Sequence, residues 1–235
     1  FADFEPEPIA SASIGQVHAA RLKSGDEVVV KVQRPGIGEQ IEKDLLILGG
    51  MAEWGERHAA ILKGYRITSL VEEFAHIIRA ELDYRAEGRN ADLFRHNFAD
   101  EPALTVPRVY WQYTTDRVLT MERVRGIKIT DTAALDRAGI DRRRVAENAV
   151  RIMLREAFEF GLFHADPHAG NFFVRPDAGI VLMDFGMVGR LTPRVQEILL
   201  EMGLALVHRD AERLTDDLYA LGVATDTARR RSLQR

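Results

Sequence analysis

The sequence predicts an α+β fold in two lobes, on three observations. A β-branched run, Val28-Val29-Val30-Lys31-Val32-Gln33, lies near the N-terminus and reads as a strand. A long amphipathic stretch follows, with Leu70, Phe74, Ile77 and Ile78 recurring at helical spacing. The second half is mostly helical in its periodicity, interrupted between His164 and Gly186 by a loop and two short apolar runs. The expected division is a small β-rich first lobe over residues 1–124 and a mainly helical second lobe over 125–235, joined near Glu122–Gly126. A site between lobes is a common place for a ligand.

Each element follows from local chemistry. From Ile9 to Ala20 the residues are small and loop-like at first, then strand-like. Ser24-Gly25-Asp26 signals a turn, and Pro35-Gly36 ends the β-branched strand. From Gly38 to Leu62, Ile41, Leu45, Leu48 and Ala52 recur at helical spacing. Ser69 with Glu72 reads as a capping box opening the long helix. Strand-like pieces follow around Thr105–Tyr113 and Arg117–Glu122. Phe172–Val174 and Ile180–Met183 read as a hairpin, with Asp177 and Gly179 supplying its turn. Thr192, with Pro193 just inside, marks the start of another helix.

Bulk properties exclude several classes. The 235 residues are 46% hydrophobic and 29% charged, an ordinary globular balance. A net charge of −4 gives no global attraction to nucleic acid or an anionic bilayer. The Arg142–Arg144 and Arg229–Arg231 triplets read as solvated helix faces. With no cysteine, disulfides, thiolate nucleophiles and zinc-thiolate sites are out. No apolar run reaches the roughly 18–20 residues of a spanning helix, and the acidic start Phe1-Ala2-Asp3-Phe4-Glu5 is unlike a signal peptide. The chain reads as a fragment of a longer protein, cytoplasmic, with any peripheral membrane association carried by segments outside it.

The chemistry concentrates in His164-Ala-Asp166-Pro-His168-Ala-Gly-Asn171, followed by Met183-Asp184-Phe185-Gly186. Asp166 and Asn171 stand five apart, and Asp184 comes thirteen residues later, the spacing of the H-R-D-x-x-x-x-N and D-F-G motifs of protein kinases. In that pattern Asp166 faces the nucleophile's proton, while Asn171 and Asp184 hold magnesium on the phosphates. An Asp-Phe-Gly alone would be an ordinary strand-end turn. Both motifs, with a hairpin of the right length between them, make coincidence a poor account.

Lys31 sits inside an apolar strand, where an unpaired ammonium is costly. Glu81 lies eleven residues after Leu70, which at roughly 100° per residue returns it to the apolar stripe of the long helix. The expected pair is therefore Lys31 with Glu81, the strand lysine and helix glutamate that position phosphates in kinases. Where a glycine-rich loop would cover the phosphates, this chain has Ala10-Ser11-Ala12-Ser13-Ile14-Gly15. Methyl groups there keep the backbone further from phosphate oxygens, so nucleotide is expected to bind with altered geometry. The connector offers backbone groups to adenine at Glu122 and Val124. Only five residues separate Gly186 from Thr192 and no A-P-E follows, so a peptide substrate in the usual mode is not expected.

Together these residues resemble the UbiB family of atypical kinases, whose eukaryotic members are the ADCK proteins. The resemblance rests on Pro8–His18, on Val30-Lys31-Val-Gln-Arg-Pro-Gly36, on Glu81-Leu-Asp83-Tyr-Arg-Ala-Glu87 and on the two motifs above, spanning positions 8 to 190. It implies a kinase-like fold, ATP and Mg2+ as cofactors, ATPase activity, and a supporting role in isoprenoid-quinone (ubiquinone) biosynthesis or lipid homeostasis at membranes. It maps Lys31 to the phosphate-contacting lysine, Glu81 to its partner, and Glu87 to a second acidic residue. Asp166 takes the catalytic aspartate's place, and Asn171 and Asp184 those of the metal ligands. The implied partners are nucleotide and, through segments outside this chain, a lipid or quinone precursor and a membrane surface. The family's upstream K-x-G-Q segment is absent from this chain, and Ser11 stands where many relatives have alanine.

Three other readings compete. An aminoglycoside- or choline-kinase-like enzyme shares the Asp-x4-Asn geometry, but usually carries an acidic residue where this chain has Gly186. A metal-dependent hydrolase could use His164-x-Asp166-x-His168, although alternate residues of a short extended run diverge and His164 is better read as a loop anchor. A pseudokinase-type module would use the same ligands for nucleotide binding alone.

Overall fold

The computed structural model describes residues 1–58 and 66–223, so Leu62 and the Arg229–Arg231 triplet lie outside the described residues. The chain divides into two compact units, residues 1–145 with 166–187, and residues 146–165 with 188–235. The architecture is α+β, as the mixed periodicities predict.

In the first unit, β1 (Asp3–Phe4), β2 (Ala10–Ser11), β3 (Gly15–Arg21) and β4 (Glu27–Gln33) are followed by α1 (Ile37–His58), α2 (Ile67–Glu81) and α3 (Tyr84–Asn97). Next come β5 (Leu104–Thr105), a 3-10 turn at Trp111–Tyr113, β6 (Val118–Glu122), β7 (Ile127–Lys128) and α4 (Thr132–Arg137). The first sheet runs β1-β3-β4-β6, with β2 also on β3. Strand β4 is internal, so Lys31 faces Val17 on one side and Leu119 on the other. An edge position for this lysine is thereby excluded. Val28 and Val30 pack with Ala20, Leu22 and Tyr110 to form the core beside that sheet, the arrangement a β-branched run favours.

The expected helix forms as α2, which holds Leu70, Phe74, Ile77, Ile78 and Glu81, and a second helix, α3, follows directly. Residue Leu82 closes α2, and the Asp83 side chain accepts from the Arg85 amide to cap α3. The expected capping box does not form: α2 opens two residues before Ser69 with no side-chain cap of its own. Its first turn is instead served from α1, where Glu56 Oε1 accepts the Thr68 amide at 2.7 Å. Arg79 and Glu42 join the same two helices by a bidentate pair at 2.8 Å.

The first unit also contains the hairpin of β9 (Phe172–Val174) and β10 (Ile180–Leu182), which follows β8 (Leu162–His164) along the chain. This hairpin belongs to a sheet of order β5-β10-β9-β7. Asp177 Oδ1 accepts the Gly179 amide as expected, but the left-handed turn residue is Ala178, with φ 66°. Arg175 ties the turn to Thr105 Oγ1 and the Pro102 carbonyl.

In the second unit, the latter part of α5 (Arg142–Leu154) runs into a π-turn, Arg155–Glu159, then β8. Strand β8 pairs with β11 (Val188–Arg190), followed by α6 (Pro193–His208) and α7 (Ala211–Ala220). Thr192 caps α6 by accepting the Val195 amide, and Pro193 is the first helical residue, as predicted. Ile198 and Ala205 carry the buried face of α6, whereas Leu206 of α6 and Met153 of α5 are exposed. Among the described residues no helix is long and apolar enough to cross a membrane.

Candidate nucleotide-phosphate site

Lys31, Glu81, Glu87, Asp166, Asn171 and Asp184 all belong to the first unit. Lys31 Nζ donates to Glu87 Oε1 at 2.9 Å and Oε2 at 2.8 Å. It also lies 3.5 Å from Asp184 Oδ2. The expected partner, Glu81, is not the one chosen. The break at Leu82–Asp83 turns the chain into α3, which presents Glu87 from its first turn, while Glu81 is the last residue of α2. Glu87 is 4% exposed and the Lys31 side chain 14%, so this is a buried pair whose separation would leave an uncompensated charge.

Electrostatics agree with that geometry. Burial works against the Lys31 ammonium, but Glu87 and then Asp184 overcome it and raise its pKa, so it stays protonated. Burial also raises Glu87, a rise that Lys31 restrains. Glu81 is raised first by burial and then by Asp184, with Lys31 opposing and Asp166 adding a further push. Carboxylates thus outnumber the one ammonium here, and the surplus negative charge suits a divalent cation.

Asp184 is held from several sides. Its Oδ1 accepts the Gly186 amide at 2.9 Å. The next residue, Phe185, is fully buried against Phe94 of α3, with ring centroids 5.3 Å apart. Asn90, also on α3, donates its amide to the Phe185 carbonyl at 2.9 Å. One helix therefore supplies the lysine's partner and seats the Asp-Phe-Gly segment. Glu81 lies over Gly186, where an added Cβ would come within 2.8 Å of Oε1.

The loop before the hairpin braces itself. The His168 amide donates to the Asp166 carbonyl at 2.7 Å, and Asn171 Nδ2 reaches the same carbonyl at 3.4 Å. His168 Nδ1 accepts the Gly170 amide at 3.1 Å, so this histidine serves as a turn cap. Among the described residues no group of three or more His, Asp or Glu could hold a metal ion alone. The Asn171 and Asp184 side chains are oxygen donors of the type magnesium takes beside substrate phosphates. The residues present therefore fit Mg2+ with a nucleotide. His164, in the second unit, is buried, and its amide donates to Glu156 Oε2 at 3.1 Å.

The Ala10–Ser13 segment is partly strand, Ala10 and Ser11 pairing with Val17 and Gln16. Arg34, unremarked in the sequence, braces it by donating to the Ala12 carbonyl at 3.2 Å. In the connector, the Glu122 amide is spent on the Arg108 carbonyl and the Arg123 amide on the Glu27 carbonyl. Sequence reasoning also missed Asn90 and Tyr84. The signal for both was the Asp83 cap, which places them on one new helix with Glu87.

Residues 1–218 match the model of the ABC1 atypical kinase-like domain. A probable protein kinase UbiB of Cellvibrio japonicus is 42% identical over 92% of this chain and 40% of its own length. The chloroplastic protein Activity of bc1 complex kinase 8 of Arabidopsis thaliana is 42% identical over 97% of this chain and 30% of its own. The chain thus spans 30% to 40% of these relatives. Among solved structures, Rv3197 of Mycobacterium tuberculosis, in complex with erythromycin, superposes with a TM-score of 0.74 at 28% identity, over 93% of this chain and 54% of that one.

Proposed function

The chain belongs to the ABC1 atypical kinase-like family, and on that premise we propose that it binds Mg-ATP and transfers or hydrolyses the terminal phosphate. The acceptor is a small molecule, a lipid or water rather than a peptide. At the level of the family, the role is in ubiquinone biosynthesis or lipid homeostasis. The observation that carries this reading is the position of Lys31 Nζ, shared between Glu87 at 2.8 Å and Asp184 at 3.5 Å. It puts a strand cation and the Asp-Phe-Gly carboxylate at one point, as phosphoryl transfer requires.

In this reading Glu87 aims Lys31 at the phosphate oxygens, where its ammonium offsets negative charge that grows in the transition state. Asn171 and Asp184 would hold magnesium, which supplies further positive charge against those oxygens. Asp166 orients the acceptor hydroxyl or water and takes its proton. The Glu122 carbonyl and the Val124 amide face adenine, since the Glu122 and Arg123 amides are already committed. The short stretch from Gly186 to Thr192 supports an acceptor other than a peptide.

The test is phosphate release from Mg-ATP by the wild-type chain and Asp166→Asn, with and without detergent-dispersed lipid or a phenolic quinone-precursor mimic. Turnover that falls at least about 100-fold in Asp166→Asn, the scale of a lost general base, supports catalysis. Nucleotide binding without turnover in any condition would leave a binding module instead.

A further inference from the structure

Tyr84 opens α3 and is used by none of the chemistry above. It is fully buried, yet its hydroxyl has no hydrogen-bond partner. Packing alone does not account for that group, because phenylalanine would fill the same volume without a stranded polar atom. Two contacts show where the ring is working. Lys31 Nζ stands over its face, 5.0 Å from the centroid. The hydroxyl rests against Gly15, at the place where any Cβ on residue 15 would fall.

Gly15 is buried and begins β3, directly after the alanine-rich segment. Its φ is not in the left-handed region, so the requirement for glycine is steric. It makes room for the phenol. The Val32 carbonyl closes the same space from the other side, at 2.8 Å from such a Cβ. The neighbouring strand residue is Lys31 itself.

We propose that Tyr84 is a positioning residue for Lys31. Its π-face is the floor under the ammonium, and its hydroxyl, wedged against Gly15, sets the height of that floor relative to the exit of the Ala10–Ser13 segment. Lysine and phosphate-covering segment are thus held in register by one buried ring. The proposal rests on the reading of Lys31 as a phosphate-contacting lysine for its functional consequence, though not for its geometry.

The experiment is a double-mutant cycle of Gly15→Ala and Tyr84→Phe in the full chain, with Tyr84→Leu as a third variant. The first readout, without nucleotide, is the rate of Lys31 acylation at one fixed pH, followed by mass spectrometry, which reports how far the ammonium is held against the ring. Tyr84→Phe keeps the π-face but loses the wedge against Gly15, so it raises the rate by less than Tyr84→Leu does. Gly15→Ala and Tyr84→Leu raise the rate at least about twofold by releasing the ammonium from its floor. The second readout is Mg-ADP affinity. Gly15→Ala weakens it, and adding Tyr84→Phe, which deletes the nearer of the two atoms the new methyl meets and leaves the Val32 carbonyl, recovers at least about twofold, the lower bound for coupled contacts.

Folded Gly15→Ala with an unchanged Lys31 acylation rate, or a double variant no better than Gly15→Ala alone, overturns the proposal. Should Tyr84→Leu not fold, the cycle still decides. A wild-type chain that fails to bind Mg-ADP counts against the nucleotide reading, whereas the acylation rates judge Tyr84 independently.

Discussion

Lys31 meets Glu87, not Glu81, through two hydrogen bonds of 2.9 and 2.8 Å from Nζ. The two glutamates are six residues apart, and a helix boundary lies between them. This assigns different jobs to two acidic groups that a continuous helix would have confused. Glu87 neutralises the lysine, while Glu81 leans over Gly186 towards the Asp184 and Asp166 carboxylates.

Replacement of Glu87 by alanine should therefore be costly. It takes both hydrogen bonds from a largely buried ammonium and leaves it only Asp184 at 3.5 Å, and removing one partner of a buried pair typically costs about 3–5 kcal/mol. Chemical denaturation should report a loss of that size for Glu87→Ala, and a much smaller one for Glu81→Ala, whose carboxylate is only half-buried and sits among the Asp184 and Asp166 carboxylates that oppose its charge.

Asn90 tests the seat of the Asp-Phe-Gly segment. Its amide holds the Phe185 carbonyl at 2.9 Å. Asn90→Ala should lower stability by about 1 kcal/mol, the usual worth of one such bond. It should also weaken Mg-nucleotide affinity, because Asp184 precedes the released carbonyl; calorimetric titration with Mg-ADP measures this. Unaltered affinity would show that Phe185 packing against Phe94 suffices.

Glu156 gives a pH signature in the second unit. Burial lifts it from 4.5 to about 7, partly opposed by the hydrogen bond from the His164 amide. The folded chain then holds a proton that the unfolded chain has lost between those values. Its contribution to stability is present below the unfolded pKa and is lost as pH rises through the folded one, with a slope of at most about 1.4 kcal/mol per pH unit. Glu156→Gln should flatten this part of the profile between pH 5 and pH 7, read from urea midpoints. Parallel profiles for both proteins would refute the shift.

Legibility in the sequence followed the range of the interactions involved. The β4 strand, the β9–β10 hairpin and the Thr192 cap are set by neighbours a few residues apart, and each was legible. The partner of Lys31 was not. Periodicity set Glu81 on the stripe of Leu70, Phe74 and Ile77, while the separate helix that presents Glu87 is signalled only weakly, by Asp83 as its cap. The opening of α2 failed for the opposite reason. Ser69 and Glu72 fit a local cap, but Glu56 from another helix had already taken the first-turn amide of Thr68. Asp166, Asn171 and Asp184 could be named because their spacing is fixed by a single loop and hairpin; Tyr84 could not, since its meaning lies in Gly15 and Lys31, far away in sequence.

The central claim is that Lys31 and Asp184 grip one Mg-nucleotide. Thermal unfolding with ATP, with and without magnesium, should be compared for wild type, Lys31→Ala and Asp184→Asn. At about 100 times Kd, wild type should gain about 2.7 kcal/mol with magnesium and far less without it. Lys31→Ala should lose most of that gain in either condition, and Asp184→Asn should lose the magnesium dependence. Equal stabilisation of all three proteins, indifferent to magnesium, would contradict the account.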